Sequence, residues 1–296
     1  MATFTTYDKT AGNLRRSVED TIMQISPEDT PAFSAAKKTV AEATLHEFQQ
    51  DSLVAANADN ASVQGAAATF TNPTDVEVRS NRTQIFQKTA QVSGTLQAVK
   101  QYGIAQQLGY DIAQRGRELK RDIEAAMVGR DQAAVTGSTS TAAKMASVIN
   151  QIDVSVTTAT AAGGALTEAA ILSAHEKTFT KGGDPSILLT HPSQATNIAA
   201  FATASGRNRD IEGTELYNAI DLIVSPFGEL TVVIDRFMSD DHALLVDPEY
   251  MTVATLRPLT TERLSKDGDR ESVQLITELT AYASHDEAHG MVTITA

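Results

Sequence analysis

The feature that most limits how this chain can fold is the stretch 44–94, which has almost no apolar core pattern yet runs straight into an amphipathic helix. Leu45-His46-Glu47-Phe48-Gln49 alternates weakly, as a polar strand does. Residues 55–70 include Ala-Ala-Asn-Ala-Asp-Asn-Ala-Ser, with neither helical nor strand periodicity, and read as a loop tip. Residues 75–79 and 82–91 read as returning strands, with Thr, Gln, Ile and Val on alternating faces. Neither has a clean apolar face, and a two-stranded hairpin is marginally stable alone in water. A hairpin of this composition needs another chain to cover it.

Residues 104–134 carry the helical signal. Ile104, Leu108, Ile112, Leu119, Ile123 and Met127 lie mostly four apart, so one face is apolar, and charged residues from Arg115 to Glu124 cover the rest. Such a helix would be about 45 Å long at ~1.5 Å per residue. Gly129 and Gly137 bracket its end. Upstream, residues 1–30 read as an arm. Thr3–Thr6 is β-prone, and Val18, Ile22 and Ile25 make a short amphipathic helix that Pro27 and Pro31 break. Asp29-Thr30-Pro31 starts a second short helix, with Thr30 as N-cap and Pro31 at its first position.

A mixed α/β stretch follows, 138–257. It is read as strands at 148–156, 186–190, 221–225, 230–235, 243–246 and 251–256, a Thr167-capped helix at 168–180, a short helix opened by Pro192, and a surface loop at 202–213. The chain closes with strands at 259–264 and 272–282 around the hairpin turn Lys266-Asp267-Gly268-Asp269, and a last strand at 291–295.

The 296 residues carry no cysteine, which excludes disulfides and thiolate metal sites. Net charge is −13, and the last 96 residues hold 17 acidic and seven basic side chains. That surface repels phosphate, so broad nucleic-acid binding is not expected. No basic-then-apolar leader opens the sequence, and no run reaches the ~18 apolar residues of a membrane helix, so no membrane partner is expected.

The motifs for chemistry are poor. His285-Asp286-Glu287-Ala288-His289 spaces two histidines as a zinc protease does, but Asp286 stands where the glutamate belongs and the region reads as a strand–turn–strand. A polar exposed turn fits it better. His191, before Pro192, reads as a helix-entry residue, and His175, beside Glu176, as solvated. Lys181-Gly182-Gly183-Asp184 follows a helix and precedes a strand, the reverse of a phosphate loop. Asp235, Asp240, Asp241 and Asp247 lack the spacing of a calcium loop. The residues therefore indicate no enzyme, with no catalytic, cofactor-binding or metal-ligating set. The alternative is a hydrolase, metal-dependent or not, on the central α/β region, built around His191 or the His285/His289 pair. A polar loop that cannot bury itself favours a self-assembling subunit instead.

The order of segments resembles the tailed-bacteriophage major capsid proteins of the Hong Kong ninety-seven type. The closest local match is Asp241-His242-Ala243-Leu244-Leu245-Val246-Asp247-Pro248 with Leu256-Arg257-Pro258-Leu259 and the turn at 264–269, which look like a podophage-type family. The resemblance implies an α+β fold: a 1–43 N-terminal arm, a 44–95 extended β-hairpin loop, a peripheral domain of 96–137 (with its spine helix) and 258–296 (with its β-sheet), and an α/β apical domain, 138–257. It implies a chain that self-assembles into hexamers and pentamers of an icosahedral head enclosing the phage genome. A separate scaffolding protein, a portal and a decoration protein are the further implied partners, since the arm leaves no room for a fused scaffold. The location implied is the virion, after assembly in the host cytoplasm. Arg79, Arg82 and Lys88 in the loop, and Asp267 and Asp269 in the sheet turn, are the candidate subunit-interface residues.

Overall fold

The computed structural model describes residues 29–68, 70, 75–154, 157–204 and 222–295. The expected short helix around Val18–Ile25 and residues 205–213 of the expected surface loop lie outside that set.

Pro31–Ala35 forms a short helix, α1, as the Asp-Thr-Pro start predicts, but its cap differs from expectation. The Thr30 side chain makes no capping bond. The Ala32 and Phe33 amides instead donate to Glu124 Oε1 and Oε2, at 2.6 and 2.8 Å. A helix's first amides have no partner within the helix, and here a carboxylate from a distant part of the chain accepts two of them. That carboxylate belongs to α3, Gln107–Val128, the expected long helix. It is shorter at both ends than the 104–134 span. It stops where Gly129 packs against the Ala125 and Phe237 carbonyls, leaving no space for a Cβ. At ~1.5 Å per residue it is about 33 Å long.

Two main sheets flank α3. The first has the order β1-β10-β11-β4, from Lys37–Val40, Met251–Arg263, Arg270–Ala283 and Gln84–Ser93. β10 and β11 are the predicted hairpin. β10 runs unbroken through Pro258, which sits where the register slips between Arg257 and Thr260. An irregularity is where a strand tolerates a residue without an amide hydrogen. β4 alternates: Phe86, Ala90 and Val92 are buried and Ile85 is exposed. Ala90 and Val92 pack with Leu108 and Ile112 of α3 and Val273 of β11, and Phe86 joins the main core.

The second sheet has the order β5-β12-β9-β6-β8-β7, from Thr158–Ala162, Gly290–Thr295, His242–Val246, Ile187–Thr190, Gly228–Ile234 and Leu222–Ser225. Helix α5, Glu168–Thr180, is capped as predicted, with Thr167 Oγ1 accepting from Ala170 N. Pro192–Gln194 makes a 3-10 turn leading into α6, Ala195–Ala204.

The expected layout differs in three places. The strand expected from 148 is a helix, α4, Val148–Gln151, because Ser147 Oγ accepts from Asn150 N and starts a turn. β4, expected to return within the extended hairpin, belongs to the four-stranded sheet, so that hairpin is only β2 and β3, Leu45–Gln50 and Glu77–Arg82. The last strand, expected in the peripheral sheet, lies in the six-stranded one, parallel to β5 and antiparallel to β9.

One apolar cluster joins the layers. Leu119, Ile123, Met127 and Val128 of α3 meet Met251, Val253, Leu279 and Ala281 of the first sheet and Leu189, Leu244, Val246 and Met291 of the second. Leu244→Ala should therefore cost about 2–5 kcal/mol in denaturant melts of the unassembled subunit, through lost burial plus the cavity left behind. Leu259→Ala, at a half-exposed site, should stay within about 0.5 kcal/mol of wild type.

Candidate functional site

The β2–β3 hairpin carries the segment 51–68, whose residues are all exposed. Leu53 is 97 % and Val63 81 % exposed, and Val54 and Phe70 are open to solvent as well. Several large apolar side chains on one projection with nothing over them mark a surface that another molecule covers.

The root of this projection is firmly held. Asn81, on β3, is 1 % exposed and uses its whole amide. Its Nδ2 donates to the carbonyls of Ala281 (2.6 Å) and Ala146 (3.2 Å), and its Oδ1 accepts from the amides of Ala146 and Arg82 (both 2.8 Å). Thr83 Oγ1 donates to Glu278 Oε1 at 2.7 Å. Across the sheet boundary Phe48 stacks on Tyr282, with centroids 4.6 Å apart, and His46 tilts against the same ring. A cleft of about 330 Å³ opens beside the root, lined by Thr44, Arg82, Thr83, Ile85, Ala142 and Glu278.

The five candidate interface residues divide into two groups. Arg79 lies 2.6 Å from Asp286 Oδ2 of its own chain, a charge contact that ties β3 to the turn before β12. Lys88 is not on the projection: it faces α3 from β4, 2.7 Å from Asp122 and 3.9 Å from Glu118. Asp267 is bound by the Arg270 guanidinium, which holds its carboxyl below the usual range. Arg82 and Asp269 have no ion pair among the described residues. Arg82 lines the cleft at the root, while Asp269 sits at the β10–β11 turn, its carbonyl accepting from Gly94 N at 3.1 Å. β4 separates them, so at ~3.3 Å per residue they stand about 35 Å apart, at opposite ends of one sheet. They cannot meet within one chain.

The histidines do not assemble a hydrolase. His289, expected on an exposed turn, is fully buried; its Nδ1 accepts from Asp247 N at 3.3 Å, and burial pushes its pKa down to about 4. The turn folds back because Gly290 starts a strand in the sheet interior. His175, expected to be solvated, is also buried, with Nδ1 2.9 Å from Ser225 Oγ and its ring against Phe227. That serine is committed to its own hairpin turn: its Oγ accepts from the Phe227 and Gly228 amides and lies 3.0 Å from the Gly228 carbonyl. His191 caps the Pro192 turn, its Nδ1 accepting from Ser193 N at 3.2 Å, as its helix-entry reading predicts. Among the described residues no group of three or more metal-ligating side chains converges. None of the described helices is long and apolar enough to cross a membrane.

A family model, SU10 major capsid protein, matches residues 2–296. The chain belongs to the SU10 major capsid protein family. The major capsid protein of Escherichia phage Phieco32 is 24 % identical over 318 residues, covering 90 % of each chain. Among solved structures, the capsid of a native GTA particle superposes with a TM-score of 0.70 at 14 % identity, covering 98 % of each chain. A structure from Microbacterium phage Oxtober96 gives 0.70 at 13 %, covering 99 % of each. The SrpI encapsulin of Synechococcus elongatus gives 0.64 at 11 %, covering 99 % of this chain and 96 % of that one. The fold is the phage capsid fold of the Hong Kong ninety-seven type, and this capsid protein is a structural component of the virion. The hydrolase alternative has no support in these relationships.

Sequence reasoning missed Asn81 and Tyr282, the residues that hold the projection at its root. Both sit in polar-looking strands, and only the pairing of β3 near β11 makes them neighbours. Asn81→Ala would take the acceptor from the Ala146 and Arg82 amides and one donor from the Ala146 and Ala281 carbonyls, which keep Gln151 Nε2, and should destabilise the subunit by about 2–4 kcal/mol. Amide exchange should then rise first across Leu45–Gln50 and Glu77–Arg82, which hydrogen-exchange mass spectrometry would show.

Proposed function

We propose that this capsid protein assembles by laying the β2–β3 projection over a neighbouring copy, closing into hexamers and pentamers of an icosahedral head around the phage genome. The observation that carries this is an uncovered apolar tip on a rigidly held polar root. Flexible tips search many poses; a tip whose root is buried offers its apolar groups in one direction and loses less entropy on docking. Many small contacts of this kind, each weak, stabilise a shell by avidity. In this reading residues 1–43 act as the arm and 44–82 as the projection. The four-stranded sheet with α3 forms the peripheral part, and the six-stranded sheet with α5 and α6 the apical part.

The partners follow from the same reading. A separate scaffolding protein directs curvature, a portal occupies one vertex, and a decoration protein binds outside. The acidic chain touches packaged DNA only weakly, assembly takes place in the host cytoplasm, and the chain has no catalytic role. Arg82 and Asp269 supply one contact between copies, each filling the other's missing partner at opposite ends of the sheet. Arg79, Lys88 and Asp267 contribute at these interfaces through the intrachain pairs that fix their elements.

Electron microscopy and light scattering of the purified chain, with and without its scaffold, test the whole reading. Shells, tubes or five- and six-fold rings are expected; a strict monomer in both preparations would overturn it. Leu53→Ser with Val63→Ser should leave the subunit's melting temperature unchanged and reduce assembly yield at least tenfold. Arg82→Glu should impair assembly, and Asp269→Arg in the same chain should restore it. A double variant no better than the single removes that pair from the interface.

A further inference from the structure

Between α3 and the end of β8 two carboxyl groups are buried close together. Glu124 and Asp235 are both 0 % exposed. They lie within hydrogen-bonding reach of each other, each perturbing the other's titration. Both Glu124 oxygens already accept amides, from Ala32 and Phe33 of α1. Asp235 Oδ1 accepts from Phe237 N at 2.9 Å, while its Oδ2 is buried with no donor aimed at it. Two ionised carboxylates in that space would repel at short range, and Asp235 Oδ2 would be an uncompensated buried charge. A single proton held between Glu124 and Oδ2 resolves both.

Among the described residues the nearest cation does not take the proton's place. Lys38, from β1, feels the Glu124 charge, but its ammonium is held by the Phe33 carbonyl and lies 3.4 Å over the Phe33 ring, and burial lowers its pKa more than Glu124 raises it. His191, after β6, faces Asp235 and lowers its pKa only as a minor influence. Arg121, on α3, lies over the Phe237 ring. α1 brings no titratable side chain.

We propose that Glu124 and Asp235 form a one-proton latch that joins the spine helix, with α1 bound to it, to the six-stranded sheet. With the proton in place, α1, α3 and the end of β8 form one continuous hydrogen-bonded unit. Without it, the seam that opens is the one between α3 and β8, because Glu124 keeps its two amides and Asp235 keeps its bond to Phe237. The latch therefore sets how firmly the two sheets hold their mutual angle, and it responds to pH.

The direction follows from linkage. Burial raises both carboxyls, that of Glu124 to about 7. A carboxyl that is raised in the fold stabilises the fold fully below its unfolded value, near 4.3. That contribution drains away as pH rises through the folded value. The buried histidines act in the opposite sense: His289 and His175 are lowered in the fold, so they weaken it as pH falls below the unfolded value near 6.5. They are common to wild type and variants and cancel in a difference.

Asp235→Asn is the informative variant. Its Oδ1 still accepts from Phe237, and its Nδ2 supplies the bond the proton supplied, so the latch stays shut at every pH. The gap in melting temperature between Asp235→Asn and wild-type full-length subunit should widen from pH 5 to pH 9 to on the order of 5 °C, the variant being the more stable. Wild type should lose amide protection at Ser239, whose N–H donates to the Val128 carbonyl across that seam, over the same range after correction for intrinsic exchange, while Ala32 and Phe33 keep theirs, and the variant should not. A constant gap, or equal loss of protection in both proteins, overturns the latch. A second measurement needs no variant. The infrared carbonyl band of a protonated carboxylic acid should persist in wild-type protein at pH 6 and vanish by pH 9. Its absence at pH 6 overturns the proposal even if Asp235→Asn does not fold.

Discussion

One helix organises this subunit. The apolar stripe of α3 is shared: its first turns lie under β4 and β11, and its last two turns touch both sheets at once. A helix has room for this because its side chains emerge all round its axis, whereas each strand offers only two faces. The cost is a buried acid. At Glu124 the stripe must also receive α1, whose first amides arrive with no cap of their own. A carboxylate offers each of two adjacent amides an oxygen of its own. The charge placed there then needs Asp235 and its proton, so the geometry at this junction follows from a single unsatisfied helix end.

The projection and its root show the same separation of tasks. Polar chemistry holds the root: an asparagine amide used in full, a threonine–glutamate bond, two aromatic contacts with Tyr282 and an arginine–aspartate pair. Apolar side chains are left at the tip. In most domains the arrangement is the reverse, with apolar groups inside and polar groups at the rim. Here the inversion is possible because β3 crosses close to β11 and the loop at Ala146, so Asn81 finds backbone partners while Thr83 and Arg79 find carboxylates. Among the described residues nothing covers the tip.

Elements with a local signal were legible in the sequence. α5 carries its Thr167 cap, the β10–β11 hairpin its Asp-Gly turn, and α3 its four-residue spacing. The polar character of 44–94 matches a stretch, 51–68, that no described residue covers. What was not legible depends on contacts between distant residues. The sequence 148–156 looks β-prone, yet Ser147 turns it into a helix. β12 looks like the end of the preceding hairpin, yet it enters the other sheet, because Gly290 lets it pass close to Leu245 and Thr178, where a side chain would clash. His289 sits in a polar pentapeptide and is buried all the same. Arg79 and Lys88 read as free charges only because their partners, Asp286 and Asp122, are far away in sequence.

Strand order also governs when the subunit becomes competent. β5 has β12 as its only described strand neighbour, β1 pairs only with β10, and β4 pairs only with β11. During synthesis each early strand must wait for a partner translated much later, on the order of 10 s at ribosomal speed. Until then the carbonyl of Ala281 and the ring of Tyr282 are not there to hold the root of the projection. A nascent chain therefore exposes its sticky tip on a loose tether. It presents that tip in a defined direction only once nearly the whole polypeptide has emerged, so the strand order itself makes a fixed root one of the last events of the chain's synthesis.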